Sequence, residues 1–260
     1  MGLRDFLTFG QRKKPAHERV KYSPVSVPTP HYVIGDIHGR IDLLDRMMTR
    51  IEADARTRGF GDGYHLVFLG DYVDRGENSA EVLDFLQSLV RERPETVTCL
   101  KGNHEVMLLQ FLRDGKQASW LQYGGLQTLA SYGVRNIVAN AAEADIKIAR
   151  EKLSKAIGPE THEWLTRLPL LYQSGNVVCV HAAVDPRLSI PEQSERTLLW
   201  GHPDFAHSNR TDGLWIAHGH TIVDTPVVSA GRISLDTGAY ATGRLTCCGL
   251  DQSESWLLSA

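Results

Sequence analysis

The chain is poor in cysteine, with four in 260 residues: Cys99, Cys179, Cys247 and Cys248. No two of them form a CxxC pair, which excludes a thiolate metal knuckle and a redox dithiol. Three lie in apolar, strand-like stretches, so they are expected to be reduced and buried in a cytoplasmic protein. No apolar run approaches the roughly 18 to 20 residues that cross a bilayer, and no membrane association is expected. The opening MGLRDFLTFGQRKKPAHERV lacks a secretory apolar region of adequate length. Gly2 invites N-myristoylation, but Phe6 stands where that motif needs Ser or Thr. Excess charge of one sign is also missing. Twenty-eight Lys and Arg against 31 Asp and Glu leave a formal net charge of −3, which gives no basic footprint for nucleic acid. Internal repeats and low-complexity segments are absent.

Forty-two per cent of the residues are hydrophobic, enough for one large α/β domain. Residues 1–30 hold the basic cluster Arg12, Lys13, Lys14 and the prolines Pro15, Pro24, Pro28 and Pro30; they read as a flexible arm ahead of a single domain over 31–260. Within that domain, apolar runs alternate with helical periodicity. Tyr32–Ile34, His65–Leu69 and Val97–Leu100 read as strands. Ile41–Ala55 reads as an amphipathic helix with Ile41, Leu44, Met48 and Ile51 on one face. A second runs from Ser79 to about Arg91, and a third starts near Asn103. This alternation predicts βαβ units and a mainly parallel sheet. The stretch from about 113 to 160 is helical and polar-faced, and reads as a helical insertion. The second half is β-rich, with Val177–Val180, Leu214–Ala217, Val227–Ser229, Ile233–Leu235 and Leu245–Leu250 expected to form a second sheet packed on the first.

The strand ends carry the chemistry. The first strand ends in GDIHG (35–39), the second in GDYVDRG (70–76) and the third in GNHE (102–105). Two later strands end in His181 and in HGH, with His218 and His220. In an open α/β sheet, ligands gather at the carboxyl ends of the strands, so these clusters are expected to converge. They offer carboxylate, amide and imidazole donors without thiolate, which suits Mn²⁺, Fe or Zn²⁺. Taken singly, each has a plainer explanation. Asp36, Asp71 and Asn103 could be helix caps, Asp74–Arg75 a surface ion pair, and His181 a core histidine. All of these would have to hold together, at five strand ends, for the convergence to be accidental.

GDIHG, GDYVDRG and GNHE, in this order and at these spacings, resemble the metallophosphoesterases of the PPP family, the family of the serine/threonine protein phosphatases. The bacterial and phage-type members are closest in size, and the likeness runs from about Tyr32 to Leu250. It implies a calcineurin-like metallophosphoesterase fold, with two mixed β-sheets packed as a sandwich between helices (α/β/β/α). It also implies a site for two divalent ions, Mn²⁺ first and Fe or Zn²⁺ as alternatives. Asp36, His38 and Asp71 would hold one ion; Asp71, Asn103, His181 and His220 the other, with Asp71 shared. In that scheme four positive charges meet two carboxylates, Asp36 and Asp71, and the surplus attracts a phosphate dianion. The resemblance further implies attack by a metal-bridging hydroxide, His104 as general acid, Asp74 as its orienting carboxylate, and Arg75 and Asn103 as phosphate contacts. His218 would be a supporting neighbour of the ligands.

One departure is visible. Trp200 is followed by Gly201 and His202, where many relatives of this size place a nearby phosphate-binding arginine. Arg187 and Arg210 are the candidates to replace it. Trp120, Leu121 and Tyr123 are expected to pack in the insertion, with flanking a substrate groove as the alternative. The expected activity is hydrolysis of phosphoserine or phosphothreonine monoesters, with phosphotyrosine as a further option, on a phosphoprotein or phosphopeptide. A symmetrical dinucleoside tetraphosphatase and an inactive metal-binding module are the alternatives.

Overall fold

The computed structural model describes residues 22–114 and 118–260. Most of the expected flexible arm, residues 1–21, lies outside them. Residues 22–30 do not behave as an arm. Val25 and Val27 are buried, the Val27 N–H donates to the Asp251 carbonyl, and the Tyr22 hydroxyl donates to the Arg210 carbonyl.

From the N-terminus the described elements are β1 (His31–Ile34), α1 (Ile41–Thr57), β2 (His65–Phe68), α2 (Ser79–Glu92), β3 (Val97–Cys99) and α3 (Asn103–Asp114). A 3₁₀ segment (Ala118–Tyr123), α4 (Gly125–Ser131) and α5 (Glu143–Arg167) make up the helical insertion. α5 is broken at Gly158–Pro159, where proline cannot donate to the preceding turn, and it ends at Arg167, beyond the expected limit near 160. Then come β4 (Leu171–Ser174), β5 (Val177–Val180), α6 (Glu195–Trp200), β6 (Trp215–His218), β7 (Val227–Ser229), β8 (Arg232–Ser234), α7 (Ala239–Thr242), β9 (Thr246–Leu250) and β10 (Ser255–Ser259).

Two five-stranded mixed sheets result, in the orders β10-β9-β1-β2-β3 and β4-β5-β6-β8-β7. β1, β2 and β3 are parallel, with Val33 opposite Val67 and Phe68 opposite Cys99. β9 was expected in the second sheet. It instead pairs antiparallel with β1 on the first, Val33 opposite Cys248. β4 and β10, which the sequence did not announce, are the antiparallel edge partners of β5 and β9.

The period-2 alternation of strands explains the layers. In β1, Val33 points to the second sheet while Tyr32 and Ile34 point to the helices. In β9, Cys248 and Leu250 join Val33 between the sheets, and Cys247 faces the helices. In β5, Val177 and Cys179 face inward, whereas Val178 and Val180 pack outward on Leu198 and Phe205. Strands buried on both faces need continuous apolar runs, which is why HYVI and VVCV show no polar alternation. On the outer face of the first sheet, Leu44, Met47 and Ile51 of α1 and Val82, Leu83 and Leu86 of α2 close the core, each fully buried side chain contributing ~1.5–3 kcal/mol. The architecture is the α/β/β/α sandwich, and it delivers the carboxyl ends of β1, β2, β3, β5 and β6 to one edge.

Candidate active site

Each strand end turns sharply into a loop or helix, and the backbone there is unusual. Seven non-glycine residues have positive φ among the described residues, and five of them, His38, Asp71, Asp74, Arg75 and His220, are predicted site residues. Strain gathered at one place marks a functional site. Gly70 and Gly102 let β2 and β3 end against each other: a Cβ on Gly70 would lie 2.6 Å from the Gly102 nitrogen, and one on Gly102 would lie 2.3 Å from the Asp71 nitrogen.

The predicted ligands converge. His181 Nε2 lies 3.4 Å from Asp71 Oδ1 and 2.9 Å from Asn103 Oδ1. His220 Nδ1 is 3.0 Å from Asn103 Oδ1. His38 Nε2 is 3.6 Å from Asp71 Oδ2. The backbone N–H of His220 donates to Asp36 Oδ2 at 2.9 Å. His38 and His181 turn Nδ1 toward the carbonyls of Val73 and Leu69, at 2.8 and 2.9 Å, which puts the proton on Nδ1 and leaves Nε2 free to ligate.

These donors fit a two-ion site. One cluster offers His38, Asp71 and His104, another Asp71, His181 and His220, with the candidate ligand atoms of each within 4.8 Å of one another and Asp71 common to both. Asp36 Oδ1 is buried without a hydrogen-bond partner, an orphaned acceptor of the kind a cation satisfies. His104 belongs to the first cluster by distance, but its Nδ1 lies 2.6 Å from Asp74 Oδ2 and its Nε2 lies 3.3 Å from the Arg75 guanidinium. A cation at that nitrogen disfavours a metal there, and the unpartnered Asp36 oxygen is the candidate to take its place.

Electrostatics separate the residues by role. Burial opposes the charge of Asp71, yet His181, His104 and His38 outweigh it and hold the carboxyl below its ordinary range. Burial, with Asp236 and Asp71 nearby, pushes Asp36 well up. Burial lowers His38 to about 3 and His220 to about 4, so both are neutral and ready to ligate. His104 differs. Burial opposes its charge, but Asp71 and the Asp74 hydrogen bond prevail, and the imidazole sits above its ordinary value. An imidazole whose basicity is raised by neighbouring carboxylates suits an acid better than a ligand.

Two carboxylates went unread in the sequence. Glu105 is fully buried and accepts the N–H groups of Asp71 and Gly102 on Oε2 (2.9 and 2.8 Å) and of Tyr72 on Oε1 (2.8 Å), tying β2's loop to β3's. Burial and Asp71 raise it to about 7. Asp236 follows β8 and accepts the Gly238 N–H at 2.8 Å; burial raises it to about 6. Its signal was present, because ISLDTG is another apolar run ending in Asp and Gly. Asp236 and Glu105 add two further carboxyl groups to the surroundings of Asp36 and Asp71.

Arg187 and Arg210 are not brought to the site. Arg187 is exposed and pairs with Asp185 at 3.0 Å and Asp204 at 3.6 Å. Arg210 is buried, pairs with Asp212, and donates to the carbonyls of Asp185 and Leu188 at 3.2 and 2.8 Å. Its donors are occupied in holding a loop. His202 also turns to Asp185, 3.4 Å away. Arg75 stands beside the cluster, its guanidinium 4.7 Å from the centre of the Tyr240 ring.

A sandwich of two mixed sheets with carboxylates, an asparagine and histidines at one edge, shared about Asp71, defines a metal-dependent phosphoesterase. The sequence profile of the calcineurin-like phosphoesterases matches residues 30–241, and the chain belongs to that family. It is 26% identical over 242 residues to the asymmetrical bis(5′-nucleosyl)-tetraphosphatase PrpE of Oceanobacillus iheyensis, covering 85% of this chain and 89% of that one. To the serine/threonine-protein phosphatase PP1-1 of Saccharomyces cerevisiae it is 27% identical over 193 residues, 68% of this chain but about half (51%) of the phosphatase. The fold is similar to that of a cold-active protein-tyrosine phosphatase from a Shewanella species, with a TM-score of 0.56 at 18% identity, covering 95% of this chain and 86% of that one. Among the described residues no helix is long and apolar enough to cross a membrane.

Proposed function

We propose that the protein hydrolyses phosphate monoesters of serine or threonine on a phosphoprotein or phosphopeptide. The observation that carries this reading is the buried proton-donor pair, His104 Nδ1 at 2.6 Å from Asp74 Oδ2 with Arg75 at 3.3 Å from the opposite ring nitrogen. An alkoxide is a poor leaving group and needs a proton as the phosphorus–oxygen bond breaks, whereas a phosphoanhydride releases a far better one. A buried acid whose carboxylate partner is itself held by hydrogen bonds is the equipment an ester substrate calls for. Asp36, His38, Asp71, Asn103, His181 and His220 would hold two divalent ions. Once bound, such ions supply an activated water and neutralise charge on the phosphoryl oxygens. Arg75 then orients the phosphate by paired N–H donors, and His104 protonates the departing oxygen.

A dinucleoside polyphosphate is the second reading, and one observation favours it. A cavity of about 670 Å³ opens beside Arg75, lined by Tyr123, Tyr240, Gln122 and Gln127, large enough for a base and ribose. The likeness to PrpE over most of both chains supports it too, although that relative is named asymmetrical, not symmetrical. The deciding experiment compares kcat/KM of the Mn²⁺-loaded protein on phosphoserine, phosphothreonine and phosphotyrosine peptides and on diadenosine tetraphosphate. The ester reading expects the serine and threonine peptides to lead. Faster turnover of the dinucleotide by tenfold or more would replace it.

A further inference from the structure

We infer that Trp120 and Thr128, both from the helical insertion, are positioning residues for proton delivery, holding Asp74 so that His104 faces the departing oxygen. The inference rests on the proposed role of His104 as the acid.

Asp74 is fully buried, and its carboxylate is held on both oxygens. Oδ1 accepts the Thr128 hydroxyl at 2.6 Å. Oδ2 accepts the Trp120 indole N–H at 2.7 Å as well as His104 Nδ1 at 2.6 Å. A carboxylate with donors on both oxygens cannot rotate about its terminal torsion without breaking at least one bond, and the imaging of that restraint onto His104 is direct: the ring's Nδ1–H has a single fixed target. Charge-assisted bonds of this kind are about twice as strong as neutral ones.

The backbone is clamped by the same segment. Asp74 and Arg75 have φ of 73° and 68°, two successive left-handed residues that are not glycine. Such residues cost on the order of 1–3 kcal/mol each and persist only when their surroundings hold them. The Asp74 N–H donates to Thr128 Oγ1 at 2.9 Å and lies 3.1 Å from Ser79 Oγ, and the Arg75 N–H donates to the Gly124 carbonyl at 3.3 Å. A Cβ on Gly124 would stand 2.4 Å from the Arg75 nitrogen, so only glycine allows that approach. Trp120 is fully buried and packs on Phe111 of α3, the helix that begins with Asn103 and His104, with ring centroids 4.7 Å apart. The insertion thus grips the acid, its carboxylate and the phosphate arginine at once.

In the step concerned, a water oxygen forms the new bond to phosphorus and the bond to the leaving oxygen breaks. The Nε2 proton of His104 passes to that leaving oxygen, and the proton released by the attacking water restores the imidazole. Of these events, the protonation of the leaving group is the one that depends directly on the Asp74 carboxylate being held. The dependence therefore shows in the leaving group.

The test compares Trp120→Phe, Thr128→Val and Thr128→Ser with the unaltered protein, all Mn²⁺-loaded, on phenyl phosphate and p-nitrophenyl phosphate. Phenolate needs the proton far more than p-nitrophenolate does. Trp120→Phe and Thr128→Val are expected to lose about 10- to 100-fold in kcat on phenyl phosphate, the rate equivalent of one hydrogen bond to a charged group. The loss on p-nitrophenyl phosphate is expected to be several times smaller. Thr128→Ser, which keeps the hydroxyl, is expected to retain the unaltered profile. Equal losses on both esters, or none on either, would overturn the role. A second readout needs no activity. In metal-free protein the downfield N–H proton resonance of the His104–Asp74 bond, identified by its loss in His104→Asn, should shift or vanish in Trp120→Phe and Thr128→Val. If the unaltered protein hydrolyses neither ester, the parent reading fails while this resonance still decides: its persistence unchanged in both variants would overturn the positioning role.

Discussion

His104 Nδ1 lies 2.6 Å from Asp74 Oδ2, a contact that joins residues 30 apart and exists only because β2 and β3 end side by side. Asp71 and Asp74 raise the imidazole above its ordinary value against its burial. His104→Asn is expected to lower turnover by roughly 10²–10⁴-fold, the usual span of general acid catalysis, while leaving bound-metal stoichiometry unchanged. Turnover with parallel metal analysis checks this; a loss of metal with the activity would make His104 a ligand instead.

Glu105 holds the loops rather than the chemistry. Its carboxylate accepts four backbone N–H groups, from Asp71, Tyr72, Val73 and Gly102, and ties two strand ends together. Glu105→Ala orphans buried donors and is expected to cost about 3 kcal/mol or more, read as a lower urea midpoint with an unchanged slope. A midpoint within error of the parent would show that the loops are held without it.

Arg210 separates stability from binding. Its buried guanidinium is committed to Asp212 and to two carbonyls. Arg210→Met is expected to destabilise by about 2–4 kcal/mol, with KM of the remaining folded protein unchanged. A raised KM at unchanged stability would return Arg210 to the phosphate-binding role read from the sequence.

His31 gives a pH signature far from the site. It is buried, places Nδ1 2.7 Å from the Thr29 carbonyl and Nε2 2.9 Å from the Tyr172 hydroxyl, and stacks on His65 at 4.8 Å. Burial lowers it from the ordinary 6.5 to about 4. The folded state then binds fewer protons than the unfolded one between those values, so stability rises with pH across that window. The contribution is complete above about 6.5 and is lost as pH falls to about 4, on the order of 3 kcal/mol. His31→Gln should flatten the difference between pH 7 and pH 4.5 in denaturant midpoints; an unchanged difference would mean that other groups carry it.

The gathering of the polar strand ends at one edge was more legible than the order of strands in the sheets. GDIHG, GDYVDRG and GNHE announce themselves because ligands must be polar, while the strands before them must be apolar on both faces, and the transition is abrupt. Asp236 stands out less because ISLDTG ends its strand in one carboxylate with no histidine beside it. Glu105 was missed because its partners are backbone N–H groups, which no side-chain pattern records. The sheet to which Leu245–Leu250 belongs could not be read, since a strand buried on both faces looks the same in either sheet; its pairing with β1 is settled by topology. The fate of Arg187 and Arg210 turned on near neighbours, Asp185 and Asp212, which were on the page as sequence but offered no spacing rule. Trp120 was expected to pack, and it does, but its N–H also reaches Asp74, and packing alone does not say where the polar edge of an indole points.

The central claim is that Asp36, His38, Asp71, Asn103, His181 and His220 form a working metal site for phosphoester hydrolysis. The most direct measurement is p-nitrophenyl phosphate turnover by metal-stripped protein, before and after addition of Mn²⁺. Divalent ions supply several kcal/mol of charge stabilisation, so rescue of about 100-fold or more is expected, and it should be lost in Asp71→Asn. Equal turnover with a chelator present, or none after Mn²⁺ is restored, would contradict the account.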